Sequence, residues 1–477
     1  MASPPQYQAV STTEAKDFES SPVPRLSPFP GYQATYRVET PLLATESGTP
    51  ARSCRRRRIV RCLHATVLSL IFITLVPAFI HDIQRFARAF HNLIGGEHAP
   101  MQVPAQGVDV PPYCVQEAEW TFDPNTHRQL HGFRHVADAS FALPTSSDLL
   151  FFTAHGSGAL AHGNIQIVAS DNIDPETVQV DVSAYYNDVD DLVELTKVCL
   201  LQPEEGHNGV GIYAPVHWSD RHNRRRVMFE IIVQIPSHSS IKKLDTMLPL
   251  FAHFIDNLKD HVFFDTISLH TSNMPIQVKA LAATLASATT SNSPIEGSFN
   301  TSEALVLRTS NSPVRIHAGL LNNEDNYGSH TSLDLKTSNG PVTANISLYS
   351  TSGSNTGGVF DVGIYTSNSP MHIAFLDAPV DHLLTMRAHT TNGPVLAALH
   401  ETYEGTFSLR SSAFFRPTIQ VDRSVEDPAG KGRQRVVDVR TLGRGFADGR
   451  VLWTPSERQN VGSVEVSTSN MGLDLRL

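Results

Sequence analysis

Charge is the first thing this chain has little of. Only 18% of its 477 residues are Asp, Glu, Lys or Arg, against about a quarter in an ordinary soluble domain. The net charge of −10 is uneven. Residues 1–62 carry nine basic and five acidic side chains, a balance of +4, and residues 63–477 carry 28 and 42, a balance of −14. An acidic main body excludes a general nucleic-acid-binding role, because polyanions repel it. Cysteine is scarce too. Four of them, with no CxxC or Cys/His zinc spacing, exclude a disulfide-rich scaffold and a structural zinc site. Cys114 and Cys199 are a candidate disulfide if their compartment is oxidising; two buried thiols fit the letters equally well.

Long apolar runs are also missing, with one exception. Residues 63–80, "LHATVLSLIFITLVPAFI", hold one His and no formal charge. That length just spans a hydrocarbon core, and no polar face marks it as a soluble amphipathic helix. Arg55, Arg56, Arg57, Arg58 and Arg61 precede it, and only Arg85 and Arg88 come soon after. The positive-inside rule then places the N-terminus in the cytosol and the C-terminal bulk outside the cell or in a lumen. The expected plan is a disordered Ser/Pro-rich cytosolic tail (1–58), a transmembrane signal anchor (59–82) and a stalk (83–112).

Beyond the stalk the chain reads as β. In 113–240, short apolar bursts such as "NIQIVAS" (164–170) and "RVMFEIIVQIP" (226–236) alternate with polar turns. In 241–261, Leu250, Phe251, Phe254, Ile255 and Leu258 fall at helical spacing behind Pro249, which predicts a strand and then one short amphipathic helix over 249–259.

Residues 262–477 spell one phrase repeatedly: "HTSNMPIQV" (270–278), "TTSNSPIEG" (289–297), "RTSNSPVRI" (308–316), "KTSNGPVTA" (336–344), "YTSNSPMHI" (365–373), "HTTNGPVLA" (389–397) and "STSNMGLDL" (467–475). The asparagines are Asn273, Asn292, Asn311, Asn339, Asn368, Asn392 and Asn470. Pro forces its predecessor into an extended conformation, and Asn tolerates a tight turn. Each copy is therefore a corner between two strands. A period near 20 residues with inserts at fixed places, such as 322–330 and 350–358, points to stacked β repeats. The fold class is mainly β: a repetitive β-solenoid or β-sandwich ectodomain with one short helix and an N-terminal transmembrane helix. Parallel stacking and an antiparallel meander give the same letters. A degenerate copy, "LRSSAFFRPTIQ" (409–420), partly fills the 78-residue gap before Asn470.

These corners are not glycosylation signals, since none has Ser or Thr two residues after its Asn; only Asn300 ("NTS") and Asn345 ("NIS") are candidate N-glycosylation sites. The repeat and its setting resemble the TSNGPV-type turns of the bacterial adhesin repeat family. They are more similar to a group of single-pass membrane proteins of basidiomycete fungi, through "PPYC" (111–114), "KVCLLQPEEGHNGVGIYAP" (197–215) and the corners themselves. The resemblance covers about residues 110–477. It implies a β-repeat ectodomain in a cell-envelope setting and brings no activity, ligand or cofactor with it.

Catalytic signatures are thin. His131 and His135, and His155 and His162, lie beside glycines that argue for loops, with no carboxylate completing a metalloprotease pattern. Asp188 and Asp190 form a D-x-D, the metal-holding pair of a Golgi-type glycosyltransferase, but no nucleotide-binding α/β pattern surrounds them. The expectation is a non-catalytic, membrane-anchored surface protein, adhesion-like or structural. It has no cofactor and no catalytic or metal site. Its partners are the membrane, through 59–82, and a cell-wall glycan or another surface protein. The alternative is a lumenal glycan-active enzyme using Asp188 and Asp190.

Overall fold

The computed structural model describes residues 108, 110–122, 132–216, 226–323, 329–455 and 461–477. The tail (1–58), the transmembrane segment (59–82), nearly all of the stalk (83–112), His131 and the centre of the 322–330 insert lie outside the described residues. Among the described residues no helix is long and apolar enough to cross a membrane. The chain divides at Gln102 and Val103, and every described residue belongs to the C-terminal unit.

Among the described residues strands dominate, and 27 of them join one hydrogen-bonded sheet. The pairing explains the repeat. From each corner the chain leaves along one arm, such as Val314–Asn322, and returns along another, such as Thr331–Lys336. Outgoing arms pair only with outgoing arms. Ile276–Thr289 pairs through its first half with Ile295–Arg308, and the column continues through Val314–Asn322, Val342–Ser350, Met371–Asp377, Val395–Ala398 and Leu473–Arg476. Returning arms form a second column through Val262–His270, the second halves of Ile276–Thr289 and Ile295–Arg308, Thr331–Lys336, Val359–Tyr365, Leu383–Thr390 and Gly462–Thr468. All of these pairings are parallel, so the antiparallel meander is excluded for the repeat. A parallel neighbour needs a long crossover, and here each column serves as the crossover of the other.

Period-2 burial results from this geometry. Along 314–320, Val314, Ile316, Ala318 and Leu320 are all buried, while Arg315 and His317 point outward. Their counterparts on the next level, Val342, Ala344, Ile346 and Leu348, stack directly on them. One apolar core runs from Ala137 to Leu477. Each fully buried Leu, Ile or Val adds about 1.5–3 kcal/mol relative to exposure.

The same columns continue below the repeat. Ser239–Met247 pairs in parallel with Leu149–His155, and Phe251–Asn257 with His162–Ser170. The stack then closes with antiparallel strands. Lys197–Leu201 and Cys114–Glu117 cover one column, and Thr177–Tyr186 and His135–Pro144 cover the other. A disulfide joins Cys114 to Cys199, with Cα atoms 5.5 Å apart. At the far end the hairpin of Gln434–Leu442 and Phe446–Thr454 lies antiparallel on Gly405–Arg410. A buried ion triad pins this insert: Arg433 donates to Glu404 at 3.2 Å and to Asp427 at 2.9 Å.

The predicted helix over 249–259 is corrected. Residues Phe251–Asn257 are a strand, hydrogen-bonded in parallel on both sides. Phe251, His253 and Ile255 face inward, and Phe254 faces out at 38% exposure. A histidine in an inward slot disguised the alternation, and the two flanking ladders override the local helical pattern. The helix that does exist among the described residues is the five-residue Val189–Val193.

The 78-residue gap is a change of order, not a break in regularity. After Val395–Ala398 the chain skips a level and forms Gly405–Arg410 and Thr418–Gln420 beyond it. It then comes back, and Gly462–Thr468 and Leu473–Arg476 fill the skipped level, paired on both sides.

Candidate binding edge

The corners stack into one straight edge. At each corner the threonine is buried and its hydroxyl donates to a carbonyl of the level below. Thr309 Oγ1 reaches Ser293 O at 3.3 Å, Thr366 reaches Gly340 O at 3.3 Å, and Thr468 reaches Gly393 O at 2.8 Å. The next two backbone amides share one acceptor. The N–H groups of Ser310 and Asn311 both donate to Ser291 O, at 3.1 and 3.0 Å, and the pattern recurs up to Asn392. Proline sits where no donor is required, and its carbonyl accepts from the neighbouring level, as Pro313 does from Ile295 N at 3.2 Å. Glycine replaces serine after Asn339 and Asn392 because a Cβ there would lie 1.7 Å from Ser312 O or 1.9 Å from Ser369 O.

The asparagines then form a continuous ladder. Asn292 Nδ2 donates to Asn273 Oδ1 at 2.7 Å, Asn311 to Asn292 at 2.6 Å, and Asn339 to Asn311 at 2.7 Å. Asn368 donates to Asn339 at 2.7 Å, Asn392 to Asn368 at 2.7 Å, and Asn470 to Asn392 at 2.6 Å. All seven residues named from the sequence are thus brought together, including Asn470 across its 78-residue separation. At the usual strand spacing the row is about 29 Å long. All seven asparagines are exposed. Each of the five interior amides spends one N–H and one lone pair along the row, while Asn273 only accepts and Asn470 only donates.

Sequence reasoning missed the foundation of this edge. Pro249, read as a helix start, supplies the level below Asn273: its carbonyl accepts from Thr271 Oγ1 at 3.0 Å and from the amides of Ser272 and Asn273. Its signal was the distance of 24 residues to Asn273, close to one coil, but no TSN surrounds it.

The edge is electrically quiet. No residue in 271–275, 290–294, 309–313, 337–341, 366–370, 390–394 or 468–472 is charged. Charges stand one row back and are paired: Asp334 holds Arg308 at 3.0 Å and Lys336 at 3.2 Å, and Lys336 lies over the Tyr365 ring.

The other candidates fall elsewhere. Asp188 caps the helix Val189–Val193, accepting from Asp190 N at 3.2 Å, and both carboxylates are exposed. Among the described residues no cluster of His, Cys, Asp or Glu is arranged to hold a metal ion. His155 ends one strand and stacks on Tyr213, while His162 begins the next; burial lowers the pKa of both. His135 packs on Tyr186. Asn300 and Asn345 lie within strands on the outward face, half-buried.

No protein-family profile matches the chain, and no curated protein does. Three solved chains do, among them two bacterial proteins. One is a candidate cell adhesion protein from Clostridium sporogenes, at 6% identity and TM-score 0.16, covering 71% of this chain and 98% of its own. The other is a candidate adhesin from Bacteroides fragilis, at 8% identity and TM-score 0.20, covering 71% and 97%.

Proposed function

We propose that this chain is a non-catalytic, single-pass type II membrane protein whose β-solenoid ectodomain acts as a surface adhesion or structural element. The seven-asparagine ladder carries the reading. The repeated letters are consumed by stacking: buried Thr hydroxyls, shared Ser carbonyls and chained Asn amides. The outward remainder is a rigid, uncharged strip. That strip carries no Asp, Glu, Lys, Arg or His to serve as acid, base or nucleophile. The basic run before residues 63–80 supports the orientation. The D-x-D of the enzyme alternative has a structural role as the helix cap.

The test is to display the full-length chain on non-adherent cells, with a tag at each end. The expected outcome is a C-terminal tag accessible on intact cells, N-glycans at Asn300 or Asn345 removable by glycosidase, and attachment to cell-wall material or to other cells. An inaccessible C-terminus, or turnover of a nucleotide sugar by the purified chain, overturns the reading.

A further inference from the structure

The corner edge has the makings of a specific site, and its chemistry narrows the ligand. Three observations converge. First, the edge is pre-organised. Each Asn side chain is already held by the ladder, so binding to it costs little of the rotamer entropy that a free surface Asn would lose. Second, it offers neutral donors and acceptors in pairs. Beside each asparagine amide stands a hydroxyl, and those of Ser291, Ser310, Ser338 and Ser367 make no side-chain hydrogen bond among the described residues while Thr hydroxyls in the same corners are all engaged. A strip with no charge does not discriminate in favour of an ionic ligand, whereas hydroxyl-rich matter satisfies both its donors and its acceptors. Third, the strip is one-dimensional and repeats at every level. The level above Asn470 closes it with an aromatic: Phe415 packs against Gly472, and its neighbour Phe414 is 94% exposed. The loop that carries them is fixed by Ser411 Oγ donating to Phe415 O at 2.7 Å and by Ser411 N donating to Gly445 O at 2.8 Å.

We infer that the Ser–Asn edge binds an extended, uncharged polysaccharide lying along the stack, with Phe414 offering a ring face to a sugar at the ladder's Asn470 end. This rests on the adhesion reading and adds its ligand class. Each sugar contributes weakly, and affinity accumulates along the row by multivalency.

The test uses the purified full-length chain and a panel of insoluble β-glucan, chitin, cellulose and mannan, and then calorimetry with short and long oligosaccharides of whichever is retained. Ser310→Arg and Ser338→Arg place long charged side chains on the strip at exposed positions; Phe414→Ala removes the ring. Thr343→Arg, exposed on the outer face two residues beyond the 337–341 corner, is the control. Thermal melting of every variant reports folding. The expected result is retention on at least one neutral polysaccharide, affinity rising with chain length, and loss of about ten-fold or more in each serine variant while the control binds normally. Retention that the serine variants leave intact overturns the site. No retention on any member of the panel overturns the ligand class. If cells displaying the chain still attach in either case, the adhesion reading stands without this ligand; if attachment is absent as well, both fall. Retention only of sulfated or carboxylated glycans also overturns the proposal.

Discussion

Acid should destabilise this protein through one residue above all, His253. It is fully buried, at 0% exposure, between the two columns. Its Nδ1–H donates to Phe251 O at 3.0 Å, which leaves Nε2 of the neutral ring to accept from Thr246 Oγ1 at 2.8 Å. Burial pulls its pKa from 6.5 down to about 4. Between those values the unfolded chain binds the proton and the folded chain does not, so stability rises with pH across the window. His253's contribution is whole above pH 6.5, falls as the medium acidifies, and is gone once pH passes below about 4. The gap corresponds to about 3 kcal/mol. Burial lowers the pKa of His155, His162, His270 and His400 as well, so their losses fall on the same side. The variant His253→Gln isolates the one residue: it is less stable at neutral pH but has nothing to protonate. Urea unfolding monitored by circular dichroism, from about pH 7 to about pH 4, should give a wild-type stability loss steeper than the variant's by about 3 kcal/mol. Parallel losses in the two proteins would refute the reasoning.

Three further outcomes are expected of the stack. Gly340→Ala drives a Cβ to 1.7 Å from Ser312 O and should cost more than about 3 kcal/mol or prevent folding, whereas Gly353→Ala, with nothing within 4 Å, should change the melting temperature little. Asn311→Ala removes two ladder bonds and Asn273→Ala one, at about 0.5–1.5 kcal/mol per bond, so chemical denaturation should show roughly twice the loss for the interior position. Cys199→Ser opens a cross-link across a sequence separation of 85; the chain-entropy argument gives about 4–5 kcal/mol, read as a drop in urea midpoint that a reductant reproduces in the wild type.

The corners were legible because one physical job needs one set of letters. Thr309 must reach a carbonyl with a short buried hydroxyl, Asn311 must both donate and accept, and Pro313 must forgo an N–H. The sense of the stacking was not legible: an inward Val314 and then an inward Ile316 suit a parallel or an antiparallel neighbour alike. Residues 249–259 misled because His253 occupies a core slot, and its acceptability depends on Thr246 and on the carbonyl of Phe251, which only the folded chain brings together. The D-x-D resembled chemistry because a helix cap and a metal ligand use the same carboxylate. The place of Asn470 beside Asn392 could not be read from spacing at all, since it depends on the chain skipping a level and returning.

That return has a consequence for biogenesis. The strands Gly462–Thr468 and Leu473–Arg476 are clamped between levels made earlier in the chain, with Leu477 N donating to Gln420 O and Asp422 N donating to Leu477 O. A nascent chain therefore cannot finish the stack by adding rungs in the order of synthesis. Gly405–Arg410 can pair with Phe446–Thr454, but its other edge and Thr418–Gln420 have no partner strand until 462–476 arrive. A product shortened before Gly462 leaves the apolar edges of Val395–Ala398 and Gly405–Arg410 both open. The inserted rung closes the stack only when translation has gone past it.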